Sequence, residues 1–187
     1  MEITLNTPDV TLTEIGKIVD KAGVELHKCY QCGKCTASCP MAHAMDMTPR
    51  EVIRHLQLGL LDEALHSKAV WVCASCHTCS ARCPNGVEIA HLMEVLRQEA
   101  RKRNIITVKE VNKFANIFLF NIRNFGKSHE VVLCALYNVL SGHLFQDVGT
   151  MPHLLKHKLI FFKPHVVKDK AAVRRLMDKA LKGVDKA

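Results

Sequence analysis

CYQCGKCTASCP at Cys29–Pro40 and CASCHTCSARCP at Cys73–Pro84 carry four cysteines and a closing proline at identical spacing. A pattern used twice in a chain of 187 residues is an internal repeat, and it guides the reading of the architecture more strongly than any local propensity. Eight of the nine cysteines fall inside the repeat, and the ninth, Cys134, stands apart. So many cysteines exceed what an ordinary core uses, which leaves disulfides or metal ligation to account for most of them.

Thiolates are soft ligands that suit iron–sulfur clusters or zinc. Gaps of two residues let Cys29, Cys32 and Cys35 converge on one face of a cluster, and Cys73, Cys76 and Cys79 repeat the arrangement. Zinc sites generally pair two separated CxxC knuckles. Three cysteines at successive gaps of two, then a fourth before proline, form the pattern of cubane ligation, so two [4Fe–4S] clusters are expected. In two-cluster ferredoxins the fourth cysteine of each run ligates the other cluster. On that pattern Cys83 completes the set of Cys29, Cys32 and Cys35, while Cys39 completes that of Cys73, Cys76 and Cys79. Pro40 and Pro84 suit the crossing, because proline lacks an N–H, holds its predecessor extended and turns the chain away. Gly33 tolerates a close backbone approach.

Outward from the motifs the periodicity is helical. Leu12 to Ala22, with Thr11 as N-cap and Gly23 as stop, leads into the first motif. Thr48-Pro49-Arg50-Glu51 supplies an N-cap, a proline at the first helical position and a glutamate at N3, a capping box that opens a helix buried along Val52, Ile53, Leu56 and Leu60. Gly59 interrupts or ends that helix, and Leu61 to Lys68 reads as one more short piece. Val87 to Arg103 is amphipathic, and helical periodicity returns in Val108–Asn124, Glu130–Leu140 and Ala171–Leu181, with Gly126 and Gly142 as punctuation. Residues 143–166 are less regular. An all-α chain is expected, with a motif-bearing domain at 1–103 and a basic helical region at 104–187. Cys134, inside VVLCALYNVL, reads as a small buried thiol. Trp71 reads as core, Met41, Met45 and Met47 as gap fillers, and His77 as an exposed neighbour of the ligands.

Charge separates the halves. Residues 1–100 carry 9 Lys+Arg against 12 Asp+Glu, whereas 101–187 carry 17 against 6, giving −3 and +11. Without interleaved aromatics or a nucleic-acid motif, the basic half is expected to dock onto an acidic protein and not onto nucleic acid. The opening MEITLNTPDVTLTEIGK has neither the basic stretch nor the apolar run of a secretion signal, so a cytoplasmic chain is expected. No window approaches the roughly 20 apolar residues of a membrane helix, so no direct membrane insertion is expected.

The repeat, the spacer of 33 residues between Cys39 and Cys73 and the helices that follow resemble the α-helical ferredoxin family. Succinate dehydrogenase and fumarate reductase iron–sulfur subunits are relatives, but they begin with a plant-type [2Fe–2S] domain whose C-x4-C-x2-C pattern is missing here. In size and layout the chain is most similar to the C subunits of the heterodisulfide reductases of methanogenic archaea, strongly over about 29–103 and loosely beyond. That resemblance implies an α-helical ferredoxin with a helical C-terminal extension, acting in methanogenesis as an electron-transfer subunit of a hetero-oligomer. It would relay electrons from a flavin-bearing A subunit to a B subunit that reduces the coenzyme M–coenzyme B disulfide, with a hydrogenase or formate dehydrogenase as the source. The B-type catalytic motif needs adjacent cysteines, and this chain has no Cys-Cys pair, so no catalytic residue for disulfide reduction is expected on it. The alternative is an electron-transfer subunit of another oxidoreductase, such as a sulfur-oxidising relative of the same family.

Overall fold

In the computed structural model, which describes residues 9–144, 146, 149, 151–156, 167 and 169–184, every regular element is helical and the described residues contain no strand. The expected all-α class is met. The chain divides after Val108 into two compact units.

The first unit is organised on two helices that each follow a motif. Helix α1 (Asp9–Ala22) precedes the first motif, which carries the single-turn α2 (Lys34–Ala37). Helix α3 (Pro49–Gln57) opens on the expected capping box: the Thr48 N–H and hydroxyl both donate to the Glu51 carboxylate, at 2.7 and 2.9 Å. After α4 (Leu61–His66) and α5 (Lys68–Val72), the second motif carries α6 (Thr78–Ala81) and leads into α7 (Ile89–Lys102). Helix α7 is the hub, packing against α1, α4, α5 and α6. Its Ile89, Leu92, Met93, Val95 and Leu96 are buried, and with Val52, Ile53 and Leu56 of α3, Leu61 and Leu65 of α4 and Trp71 of α5 they form the core.

Several boundaries differ from the periodicity. Helix α3 stops at Gln57, so Leu60 falls outside it, ahead of α4, and is half-buried where a buried stripe position was expected. Helix α1 begins at Asp9, so Thr11 lies within its first turn. Leu61 to Lys68 is not one piece, because the chain breaks at Ser67. Ser67 is the N-cap of α5, its hydroxyl accepting from the Ala69 N–H at 3.0 Å and donating to Asp46 at 2.7 Å. The Asp46 carboxylate also accepts from the N–H groups of Lys68 and Ala69, at 2.9 and 3.1 Å. A residue more than twenty positions away thus supplies the break, which no local window contains.

The second unit holds α8 (Lys109–Phe125), α9 (Glu130–Ser141), α10 (Met151–Lys156) and α11 (Lys170–Val184). Helix α8 packs on both α9 and α11. Gly126 ends α8 at φ 80°, and a Cβ there would sit 2.9 Å from the Cβ of Val167, so both the backbone angle and the space call for glycine. The centre of this unit is partly polar. Buried Asn121 donates to the carbonyl of His129 at 2.8 Å, and His129 Nδ1 accepts from the Val132 N–H at the start of α9.

Cys134 overturns its expectation: it is exposed, not core. Helix α9 is apolar around most of its circumference yet has no buried residue, so a hydrophobic sequence with little polar contrast did not reveal which side faces α8. Most of 143–166 lies outside the described residues. No described helix is long and apolar enough to cross a membrane.

Candidate metal centre

The two motifs fold alike. Each places a left-handed residue at its third and fifth positions: Gln31 (φ 63°) and Gly33 (φ 80°) in the first, Ser75 (φ 51°) and His77 (φ 58°) in the second. Three of these four carry a side chain, and non-glycine residues rarely adopt positive φ, so the strain marks a site that over-determines its backbone. Left-handed residues alternating with cysteines curl the chain into the concave loop common at anion and iron–sulfur sites. A single helical turn then carries the third cysteine, Cys35 on α2 and Cys79 on α6. The fourth follows its cap, with the Cys39 N–H donating to the Thr36 carbonyl and the Cys83 N–H to that of Ser80, at 3.2 and 3.1 Å.

The repeat extends into the helices that follow. Thr36 Oγ1 accepts from the Arg50 N–H of α3 at 3.3 Å, and the equivalent Ser80 Oγ accepts from the Ala90 N–H of α7 at 3.2 Å. Each motif therefore satisfies one of the orphan donors at the start of its own long helix. Helix α2 also packs against α6, which brings the two motifs side by side.

Two hollows result, and each draws cysteines from both motifs. One is ringed by Cys29, Cys32, Cys35 and Cys83, the other by Cys73, Cys76, Cys79 and Cys39. Pro84 and Pro40 accompany the two visiting cysteines. All eight motif cysteines are thus brought into these two sets, and Cys134 is in neither. Met41, Met45 and Met93 line the second hollow, so two of the expected gap fillers border the site itself. His77 is exposed.

The thiols of one ring are not equivalent. Burial pushes Cys35 up and Cys79 up to about 11. Exposed Cys32 is lowered chiefly by the backbone N–H of Lys34, and exposed Cys76 by its hydrogen bond with Thr78, 3.4 Å between Sγ and Oγ1. A metal is held by thiolates, so any cation bound here would displace the protons of these cysteines. Among the described residues no three His, Cys, Asp or Glu side chains converge closely enough for a single ion; the thiols surround space. Four soft donors around a hollow fit a polynuclear iron–sulfur cluster, whose metal corners stand apart.

Residues outside the motifs hold this arrangement, and little in the chain marks them beforehand. Gln57 on α3 donates to the carbonyls of Leu26 and Cys29, at 2.8 and 3.0 Å, fixing the entry to the first motif. Arg97 on α7 donates to the carbonyls of Val70 and Cys73, fixing the entry to the second. Asn85 donates to the carbonyl of Lys28 at 2.6 Å, linking the end of one motif to the start of the other. Burial alone would push Asp46 up, but hydrogen bonds from Lys68, Ser67 and Ala69 together outweigh it and hold the carboxyl below its ordinary value. In sequence these are single polar residues on helices or loops, and only the Gln57 and Arg97 positions relative to an apolar stripe would have hinted at a directed role.

Residues 25–87 match the 4Fe-4S dicluster domain. The chain is also similar to the iron-sulfur C subunit of the CoB–CoM heterodisulfide reductase of Methanopyrus kandleri, 39% identical over 97 residues, 49% of this chain and 50% of that protein. With the C subunit of the H2:CoB-CoM heterodisulfide,ferredoxin reductase of Methanothermobacter thermautotrophicus it shares 40% identity over 86 residues, 46% of each. With the C2 subunit of the H2/formate:CoB-CoM heterodisulfide,ferredoxin reductase of Methanococcus maripaludis it shares 38% over 124 residues, 66% of this chain and 55% of the relative. The chain spans about half the length of the curated relatives it matches. These matches and the two cysteine rings support 4Fe-4S chemistry.

Proposed function

We propose that this chain is the electron-transfer C subunit of a CoB–CoM heterodisulfide reductase complex, holding one [4Fe–4S] cluster in each hollow. Cys29, Cys32, Cys35 and Cys83 are the ligands of the first cluster, and Cys73, Cys76, Cys79 and Cys39 those of the second. The observation that carries the reading is the exchange of Cys39 and Cys83 between the rings, which suits two neighbouring clusters and serves no purpose for independent metal knuckles. The clusters supply one-electron chemistry; the protein supplies ligation, spacing and tuning by hydrogen bonds, burial and charge.

In the assembly the chain relays electrons from the flavin-bearing A subunit to the catalytic B subunit in the methanogen cytoplasm, with a hydrogenase or formate dehydrogenase as the source. Disulfide reduction belongs to the B subunit, since no adjacent cysteines occur here. The basic region 104–187 is the docking surface. Anaerobic purification from the native organism tests this reading: the chain is expected to copurify with A and B subunits and with heterodisulfide reduction, while the isolated chain accepts electrons but does not turn over the disulfide. Copurification with a different oxidoreductase instead would assign it to a sulfur-oxidising or other relative, a reading favoured by the confinement of most matches to about half of the chain.

A further inference from the structure

We infer that the cluster of Cys29, Cys32, Cys35 and Cys83 has the higher reduction potential of the two, and that Gln31 and Arg50 are the residues that raise it. The inference rests on the two-cluster reading above. Two motifs with the same backbone would give similar potentials, so whatever separates them lies in the side chains where they differ.

Gln31 and Ser75 occupy the same left-handed position in their motifs. They differ in reach. Gln31 Nε2 donates to Cys29 Sγ at 3.5 Å and to Gln57 Oε1 at 3.4 Å, and Gln57 is itself anchored on two backbone carbonyls, so the amide is held against the sulfur. Serine has no such reach. The first ring gains a further donor from the Val87 N–H, 3.3 Å from Cys83 Sγ. In the second ring the side-chain hydrogen bond at a sulfur is that of Cys76 with Thr78, while the backbone N–H groups of Thr78 and Ser80 act on Cys76 and Cys79 as those of Lys34 and Thr36 act on Cys32 and Cys35, so the rings differ at Gln31 and Val87. Reduction adds a negative charge to a cluster and its sulfurs, and donors aimed at sulfur stabilise the more negative state.

Fixed charge points the same way. Lys34 and Arg50 line the first hollow, and the Arg50 side chain passes over Gly33, its Cδ and Nη1 3.9 Å from where a Cβ would stand. Glu51, the neighbouring anion, is engaged by Thr48. The second hollow is lined by apolar side chains such as Met41, Met45, Ile89 and Met93, with no Lys or Arg. Arg97 approaches Cys73, but its guanidinium is bound to backbone carbonyls and does not line that hollow. An apolar wall disfavours added charge, whereas a cationic wall favours it. An electron shared between the clusters therefore rests on the first.

The test is EPR-monitored potentiometry of the anaerobically purified full chain, with dithionite supplying one electron per cluster and no bond broken. The wild type is expected to hold about eight irons and show two resolved steps. Gln31→Ser copies the residue that the second motif already accommodates. It and Arg50→Gln should each lower the upper step, by about tenfold in the electron-sharing equilibrium, or 59 mV for one electron, for Arg50→Gln. Arg50→Lys should keep the upper step near its place, which a merely structural role for the guanidinium would not, and Ser75→Gln should raise the lower step. With full iron, a single unresolved step in the wild type, a fall in the lower step, or no movement in either Gln31→Ser or Arg50→Gln would overturn the inference while leaving the clusters in place. Iron well short of two clusters in the wild type would overturn the two-cluster reading and the inference with it.

Discussion

The two units use apolar residues in opposite ways. Every buried apolar side chain among the described residues except Ile117 belongs to the unit that ends at Val108. From Lys109 onward, by contrast, Phe114, Phe120, Val139, Leu140 and Leu176 stand exposed. Charge follows the same division: residues 109–187 carry 14 Lys+Arg and 6 Asp+Glu, a surplus of +8 equal to that of the whole chain, so residues 1–108 balance. A neutral unit with a dense core can stand by itself around its metal sites. A basic unit with exposed apolar helices is what the docking surface proposed above would present. The lesson is that similar hydrophobic content can be buried in a core or left exposed, depending on whether polar residues mark out a face.

The contrast breaks most visibly if a motif cysteine is lost. Cys39→Ala should cost about four irons per chain, taken from the cluster of Cys73, Cys76 and Cys79, and Cys83→Ala should cost the cluster of Cys29, Cys32 and Cys35. Iron counts and spectra that resolve the clusters check this, and loss of the cluster of its own motif would show that the exchange seen in the hollows is not a ligand exchange. The helices of the second unit should be unaffected in either variant, as read by hydrogen exchange.

Core truncation sharpens the comparison next. Leu92→Ala removes a fully buried side chain at the hub helix and should destabilise the chain by about 2–5 kcal/mol. Val139→Ala removes one that is 64% exposed and should change stability by no more than about 0.5 kcal/mol. Urea midpoints measured anaerobically compare the two; equal losses would mean that α9 is buried in solution.

Asp46→Asn should cost about 1 kcal/mol, because it weakens the capping of α5 by a carboxylate. The folded carboxyl is held below its ordinary value of 3.8, so its contribution is fully present above that value and is lost as pH falls through the lowered one. The difference in urea midpoint between wild type and variant should therefore stay constant from pH 7 down to about pH 5. A difference that shrinks across that range would show that the carboxylate is not what α5 uses.

Cys134→Ser should have the smallest effect: full iron content and an unchanged midpoint, since Cys134 is exposed and outside both rings. Loss of iron would place a ligand in the second unit.

Much of the first unit was legible because its signals are local. The capping box at Thr48–Glu51 and the stripe of Val52, Ile53 and Leu56 are closed within one or two helical turns, where side-chain spacing alone sets the geometry. Ser67 was illegible because the group that completes its cap, Asp46, arrives from another part of the chain. Cys134 was misread because α9 lacks the polar stripe that would orient it. The role of Gln31 depends on Gln57, 26 positions away, which holds it against Cys29.

The sequence by itself determined the helical class and the repeat of four thiols before a proline, since helix periodicity and ligand type are properties of residues at short separation. Through the pattern of two-cluster ferredoxins it also suggested which cysteines would change partners. Only the tertiary structure decided that the hollows differ, one bordered by Gln31, Lys34 and Arg50 and the other by methionines, because those walls come from separate loops and helices and meet only when α2 packs on α6 and α3. Electrostatic and hydrogen-bond tuning acts through space over a few ångströms, and distance along the chain does not report it.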